Sequence, residues 1–114
     1  MEVTRTVVLP VTRDEAWEAL TEPERLREWF ANDVELDVRP GGEGMFRWDN
    51  GESRRAVVDE VAEGERLVLR WEDDSRVELE LDDAPAGTRV LVRETSPDWG
   101  VALELEASAA WAIA

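Results

Sequence analysis

The chain has 114 residues and contains no histidine, cysteine, lysine, tyrosine or glutamine. Without histidine and cysteine, zinc sites of the ordinary kind and Ser-His or Cys-His nucleophile pairs are excluded. Without lysine, the chain has neither a Schiff-base residue nor the lysine of a phosphate-binding loop. Any acid–base chemistry must therefore use aspartate and glutamate, and we expect no cofactor and no metal.

Basic residues are also scarce, because 13 arginines stand against 28 acidic residues and give a net charge of −15. A surface this negative repels phosphate backbones and anionic membranes, so nucleic acid is not an expected partner. No apolar run approaches the roughly 20 residues of a membrane-spanning helix, so no membrane insertion is expected. Together with the missing cysteines, these features predict a cytoplasmic acidic protein with one domain over residues 1–114.

Two short helices are predicted between Pro10 and Phe30. Thr12 with Glu15, and Thr21 with Glu24, have the spacing of a capping box, in which a hydroxyl and a carboxylate satisfy free amides at a helix start. Apolar residues recur at helical spacing after each of these start signals. The segment therefore predicts a helix pair with two separate N-termini.

Alternating apolar and polar residues predict one strand before the helix pair, at residues 2–9, and six strands after it. Asn50-Gly51 predicts a two-residue hairpin turn. Ser96-Pro97-Asp98 is a start signal for a last helix. This order predicts an α+β fold with a curved, seven-stranded antiparallel sheet wrapped around the C-terminal helix.

Glu106 is one of two candidate functional carboxylates. At helical spacing it falls on the same face of the last helix as Trp99 and Leu103. A carboxylate on an apolar face must be paired, protonated or hydrated. Glu106 therefore either pairs with an inward arginine such as Arg5 or Arg54, or serves in a pocket as a ligand anchor or acid–base group with a raised pKa.

Glu94 is the second candidate carboxylate. By strand alternation it faces the same way as Val90 and Val92, toward the last helix. If Glu94 and Glu106 entered one cavity, their mutual repulsion would raise the pKa of one of them. They form the only catalytic pair that this composition could build.

The order of elements is accompanied by the motifs of a known family. The matching positions are Pro10, Ala16-Trp17, Leu20-Thr21, Pro23, Leu26, Trp29, Gly41-Gly42, Val58, Glu65-Arg66-Leu67 and Trp71. With these motifs the chain resembles the START-like helix-grip proteins of the SRPBCC superfamily. Within that superfamily it is similar to the bacterial branch related to the activator of the heat-shock-protein-90 ATPase.

The resemblance implies a hydrophobic pocket between the sheet and the C-terminal helix that binds a small hydrophobic or amphipathic molecule. The residues expected to line this pocket are Trp29, Phe30, Trp48, Arg54, Leu69, Trp71, Leu79, Val92, Glu94, Trp99, Leu103 and Glu106. Two alternatives stay open: a chaperone-interaction module, and a cyclase, dehydratase or hydrolase that uses Glu106 or Glu94. The chain is expected to be a monomer or a homodimer.

Overall fold

The computed structural model of the chain describes residues 2–95 and Leu105. Its elements are β1 (Val3–Leu9), α1 (Arg13–Thr21), α2 (Pro23–Trp29), β2 (Asp33–Leu36), β3 (Glu43–Arg47), β4 (Ser53–Ala62), β5 (Arg66–Trp71), β6 (Arg76–Ala84) and β7 (Gly87–Glu94). The strands form one curved antiparallel sheet in the order β1-β7-β6-β5-β4-β3-β2. The predicted α+β fold is thereby confirmed. The predicted C-terminal helix lies outside the described residues, apart from Leu105, which is helical.

The first helix begins at the predicted capping box, whereas the second begins differently. Thr12 Oγ1 accepts a hydrogen bond of 3.2 Å from the amide of Glu15 and caps α1. The carboxylate of Glu15 accepts from the hydroxyl of Thr12 at 3.2 Å instead of from an amide. Thr21, predicted to cap α2, is instead the last residue of α1, and its hydroxyl donates to the carbonyl of Trp17 at 2.8 Å. The second capping box is therefore wrong. Helix α2 begins with Pro23 and has no side-chain cap. The amides of Arg25 and Leu26 donate to the carbonyl of Glu22 at 3.0 and 2.9 Å.

The hairpin between β3 and β4 also differs from its predicted form. The amide of Trp48 donates to the carbonyl of Glu52 at 2.9 Å, so strand pairing continues beyond β3 and leaves a loop over residues 49–51. Gly51 ends this loop with a φ of 93° and donates to the carbonyl of Trp48 at 3.1 Å. A three-residue hairpin loop typically ends on a residue in the left-handed conformation, and Gly51 supplies it. The predicted hairpin is therefore present, but its loop has three residues and not two.

One face of the sheet, here called the inner face, carries the hydrophobic core. Val92, Leu79 and Leu67 lie side by side on β7, β6 and β5 and are at most 3% exposed. Both helices contact strands of the sheet, and Leu105 joins the same core cluster and is fully buried. Each such side chain stabilises the fold by roughly 1.5–3 kcal/mol.

The outer face of the sheet holds a network of arginines and carboxylates around one buried valine. Arg66 Nε donates to Glu60 at 2.7 Å, and its two other nitrogens pair with Glu78, at 3.6 Å, and with Glu80. The hydrogen bond to Glu60 raises the pKa of Arg66 above its ordinary value. Val68 lies opposite Glu60 and Glu78 in register and is 0% exposed. Because the stems of long charged side chains cover neighbouring apolar surface, we infer that the network shields Val68.

Replacing Arg66 with alanine is expected to lower the free energy of unfolding by about 1–2 kcal/mol, because three carboxylates lose a partner and Val68 loses its cover. Arg39→Ala is the matched control, since Arg39 makes a 2.7 Å ion pair with Asp37 while its side chain is 75% exposed. That exposed pair is expected to contribute less than about 0.5 kcal/mol. Urea denaturation of both variants measures the difference, and equal losses would contradict the network.

Candidate functional site

A cluster of aromatic rings fills the inner face next to the helix pair. Phe30, at the end of α2, is its centre, with ring centroids 5.5 Å from Trp29 and Phe46, 5.4 Å from Trp48 and 6.2 Å from Trp71. Phe46 also meets Trp71 edge-on at 5.4 Å. Tilted and edge-to-face pairs of this kind are worth about 0.5–1.5 kcal/mol each beyond their buried area. The cluster therefore fixes α2 against the sheet.

Two of these tryptophans are held by hydrogen bonds to backbone carbonyls, one buried and one partly buried. The indole nitrogen of Trp29 donates to the carbonyl of Ala19 at 2.8 Å and ties α2 to α1. The indole nitrogen of Trp48 donates to the carbonyl of Phe30 at 2.7 Å and ties β3 to the end of α2. Because both polar groups are satisfied inside the protein, neither is left to orient a ligand.

A small cavity lies beside the aromatic cluster, between the helix pair and the sheet. Its volume is about 20 Å³. The residues that line it are Leu20, Leu26, Trp29, Phe30, Leu36, Phe46, Leu69, Trp71, Val77 and Leu79. A space of this size holds about one water molecule. The predicted pocket residues Trp29, Phe30, Leu69, Trp71 and Leu79 are thus brought together, but here they pack against one another.

Two predicted residues place charge on the inner face. Glu94 is 4% exposed and lies opposite Val3 on one side and Val77 on the other. Arg54 is half-buried and lies opposite Phe46. Strands β6 and β5 separate the two side chains, which at roughly 4.8 Å per strand makes about 14 Å across the sheet. Arg54 is also offset along β4, because the residue of β4 in register with Glu94 is Val58. Both lie toward the end of the sheet where the β3–β4 and β5–β6 hairpins turn.

The remaining predicted site residues divide into two groups. Val92, Leu69 and Leu79 are buried in the hydrophobic core. Trp99, Leu103 and Glu106 lie outside the described residues, so the coupling of Glu94 with Glu106 stays a prediction. Among residues 2–95 and Leu105, no group of acidic side chains is arranged to hold a metal ion, and no helix is long and apolar enough to cross a membrane.

Sequence reasoning missed two residues of this face. Phe46 is 1% exposed and contacts two aromatic rings, and its alternation with Gly44 and Trp48 along β3 was the available signal. Leu105 is fully buried, although the sequence places it between two glutamates. Its helical spacing from Val101 was the signal that could have identified it.

The chain was compared with models of known protein families. The model of the Activator of Hsp90 ATPase homolog 1-like family matches residues 10–112. The chain belongs to this family. Its members' fold agrees with the sheet and helix pair described above, and the predicted resemblance is confirmed. Among curated proteins, no similar sequence is found.

Solved structures with the same fold as this activator-like chain come from several bacteria. Protein SSP2350 from Staphylococcus saprophyticus is 17% identical, with a TM-score of 0.76 over 92% of this chain and 78% of that one. The Aha1 dimer from Colwellia psychrerythraea is 16% identical, with a TM-score of 0.78 over 93% of each chain. DynU16, a protein of the dynemicin biosynthetic locus, is 25% identical, with a TM-score of 0.76 over 97% of this chain and 43% of that one.

Proposed function

We propose that this activator-like domain binds a small hydrophobic or amphipathic molecule on the inner face of its sheet, without converting it chemically. The observation that carries the proposal is the pair of charged side chains, Glu94 and Arg54, on a face that is otherwise apolar. Ligand sites combine apolar walls with a few polar groups that fix the orientation of the ligand. The cavity beside the helix pair is too small, so the ligand would lie toward the end of the sheet that carries these charges.

The wall near Glu94 consists of Leu69, Trp71 and Val77, which are at most 6% exposed. A ligand can reach them only if the part of the protein that covers them shifts. Binding is therefore expected to change the environment of Trp71 and to alter tryptophan emission. This consequence makes intrinsic fluorescence a suitable measurement.

The expected result is a saturable change in tryptophan emission with at least one member of a panel of neutral, cationic and anionic aromatic probes. Glu94→Gln should change the affinity for that probe by about three- to tenfold, since a buried charged hydrogen bond is worth roughly 1.5–3 kcal/mol and is only partly lost. Glu24→Gln is the matched control, because Glu24 is exposed in the first turn of α2. The absence of any saturable response would overturn the proposal.

The chaperone-interaction alternative receives less support from the described surface. Docking on a partner protein commonly uses an exposed apolar patch. Among residues 2–95 and Leu105, Val8 is the only large hydrophobic residue that is exposed, at 49%. The carboxylate-dependent enzyme would use Glu106 or Glu94. Glu94 lies on the inner face and Glu106 lies outside the described residues, so this alternative stays a prediction.

A further inference from the structure

A groove outside the inner face carries a second constellation of apolar and charged side chains. Two adjoining depressions of about 560 Å³ and 630 Å³ share Trp17, Thr21, Glu22 and Glu63 in their lining. We call them together the Trp17 trough. The trough lies outside the α1–α2 corner, between this corner, the segment after β2 and the turn after β4, so it is separate from the ligand site proposed above.

One half of the Trp17 trough is apolar. Its wall is formed by Pro23, Leu36, Val38, Pro40 and Val61. Three of these residues, Leu36, Val38 and Val61, are partly buried hydrophobic residues that pack against the core from outside. This wall is therefore fixed by the fold and offers apolar surface to a bound molecule.

The other half of the trough is acidic. Asp14, Glu18, Glu22 and Glu63 line it. Among the described residues none of these four carboxylates forms an ion pair, whereas Arg13 and Arg39 on the rim already pair with Asp83, at 4.0 Å, and Asp37, at 2.7 Å. In a chain with net charge −15, these carboxylates give the trough a field that attracts cations.

Trp17 stands where the two halves meet, and it differs from the tryptophans of the inner face. It is partly buried, and in residues 2–95 and Leu105 its ring makes no contact with another aromatic ring and its indole nitrogen makes no hydrogen bond. Trp29 and Trp48 each contact another aromatic ring and each donate an indole hydrogen bond. Tryptophan is the best of the aromatic side chains at attracting a cation over its ring.

We propose that the Trp17 trough binds an amphipathic organic cation, a compound in which an ammonium group is attached to an aromatic or aliphatic body. The body would lie against Val38 and Val61, and the ammonium group would lie near Trp17, Glu22 and Glu63. An anion would be repelled by the carboxylates, and a small inorganic cation would gain nothing from the apolar wall. The combination of wall, ring and carboxylates is what favours this class of ligand.

Benzyltrimethylammonium is a suitable probe, with benzenesulfonate and benzyl alcohol as anionic and neutral counterparts. Binding is followed by the indole N–H signals of the 15N-labelled protein, and the signal of Trp17 is assigned as the one missing in Trp17→Phe. We expect the cation to shift this signal in a saturable way, the anion to leave it unchanged and the alcohol to bind more weakly. Equal shifts with the cation and the alcohol would overturn the proposal.

Two variants test the residues of the trough. Glu22→Gln/Glu63→Gln should weaken cation binding about three- to tenfold, since it removes two of the four carboxylates that attract the ammonium group. Glu52→Gln/Glu72→Gln changes the net charge equally but alters exposed glutamates outside the trough, so it should leave binding within about twofold. Equal weakening in both double variants would mean that the net charge of the protein alone attracts the cation, and it would contradict the proposed site.

Trp17→Leu measures the contribution of the aromatic ring to cation binding separately from that of the carboxylates. It keeps an apolar side chain at the position but removes the π-system, so cation binding should weaken about threefold. Since Trp17 is also packed against the core, far-UV circular dichroism must match that of the wild type. A folded Trp17→Leu variant with wild-type affinity, measured by calorimetry, would contradict the role of the ring.

Discussion

Gly87→Ala is expected to lower the free energy of unfolding by at least about 3 kcal/mol, because backbone strain and overpacking act at the same position. Gly87 has a φ of 143°, a conformation that other residues rarely adopt, and a Cβ atom built on it lies 2.1 Å from the carbonyl oxygen of Leu9. The obstacle is backbone rather than a side chain that could rotate away. One of the two chain segments must therefore move.

The movement would reach the helix pair through the junction of β1 and α1. The hydroxyl of Thr88 donates to the carbonyl of Val11 at 3.0 Å, and the amide of Val11 donates to the carbonyl of Leu9 at 2.8 Å. Pushing Leu9 away from β7 therefore disturbs the tight turn from which α1 starts. The melting temperature is expected to fall by roughly 10 °C or more in a domain of this size.

Gly64→Ala is the matched control for this prediction. Gly64 also has a positive φ, 76°, but a Cβ atom there meets nothing within 4 Å. Only the left-handed conformation then disfavours alanine, at about 1–2 kcal/mol. Urea denaturation of the two variants separates strain from collision, and a loss in Gly87→Ala no larger than in Gly64→Ala would contradict the steric argument.

Local signals in the sequence were sufficient where only neighbouring residues decide the structure. The cap at Thr12 depends on four consecutive residues, and the structure confirms the bond from the amide of Glu15 to the hydroxyl of Thr12. The same signal failed at Thr21 because Thr21 belongs to α1. Its hydroxyl donates to the carbonyl of Trp17 in the preceding turn and does not cap α2. Two overlapping local signals thus competed, and the proline at position 23 decided where α2 begins.

Strand alternation predicted the direction of side chains but not their burial. Val68 points to the outer face as alternation requires, yet it is fully buried between Glu60 and Glu78 of the two neighbouring strands. Alternation also placed Glu94 on the inner face. The volume of the cavity beside Phe30 could not be predicted, since it depends on how five aromatic rings from distant parts of the sequence pack against one another.

Phe30→Ala is expected to lower the free energy of unfolding by about 3–5 kcal/mol, the range for removing a buried phenylalanine. Phe30 contacts four aromatic rings and is 9% exposed, and it has no polar atom whose loss would complicate the result. Phe30→Leu retains most of the volume but also loses the four aromatic pairs, so it should lose less stability than Phe30→Ala but clearly more than the experimental error of the wild-type measurement. All six tryptophans remain in both variants, so intrinsic fluorescence reports unfolding in each.

The same substitution tests whether the aromatic cluster is packed core or the wall of an open pocket. Because the cavity beside Phe30 has a volume of only about 20 Å³, benzene cannot enter the wild type, whereas removing the ring opens a dry apolar space. Benzene should then raise the melting temperature of Phe30→Ala and leave that of the wild type unchanged, because a ligand stabilises only a folded state that binds it. Stabilisation of the wild type by benzene would mean that the cluster already encloses a ligand pocket, and the site near Glu94 and Arg54 would then extend to Phe30.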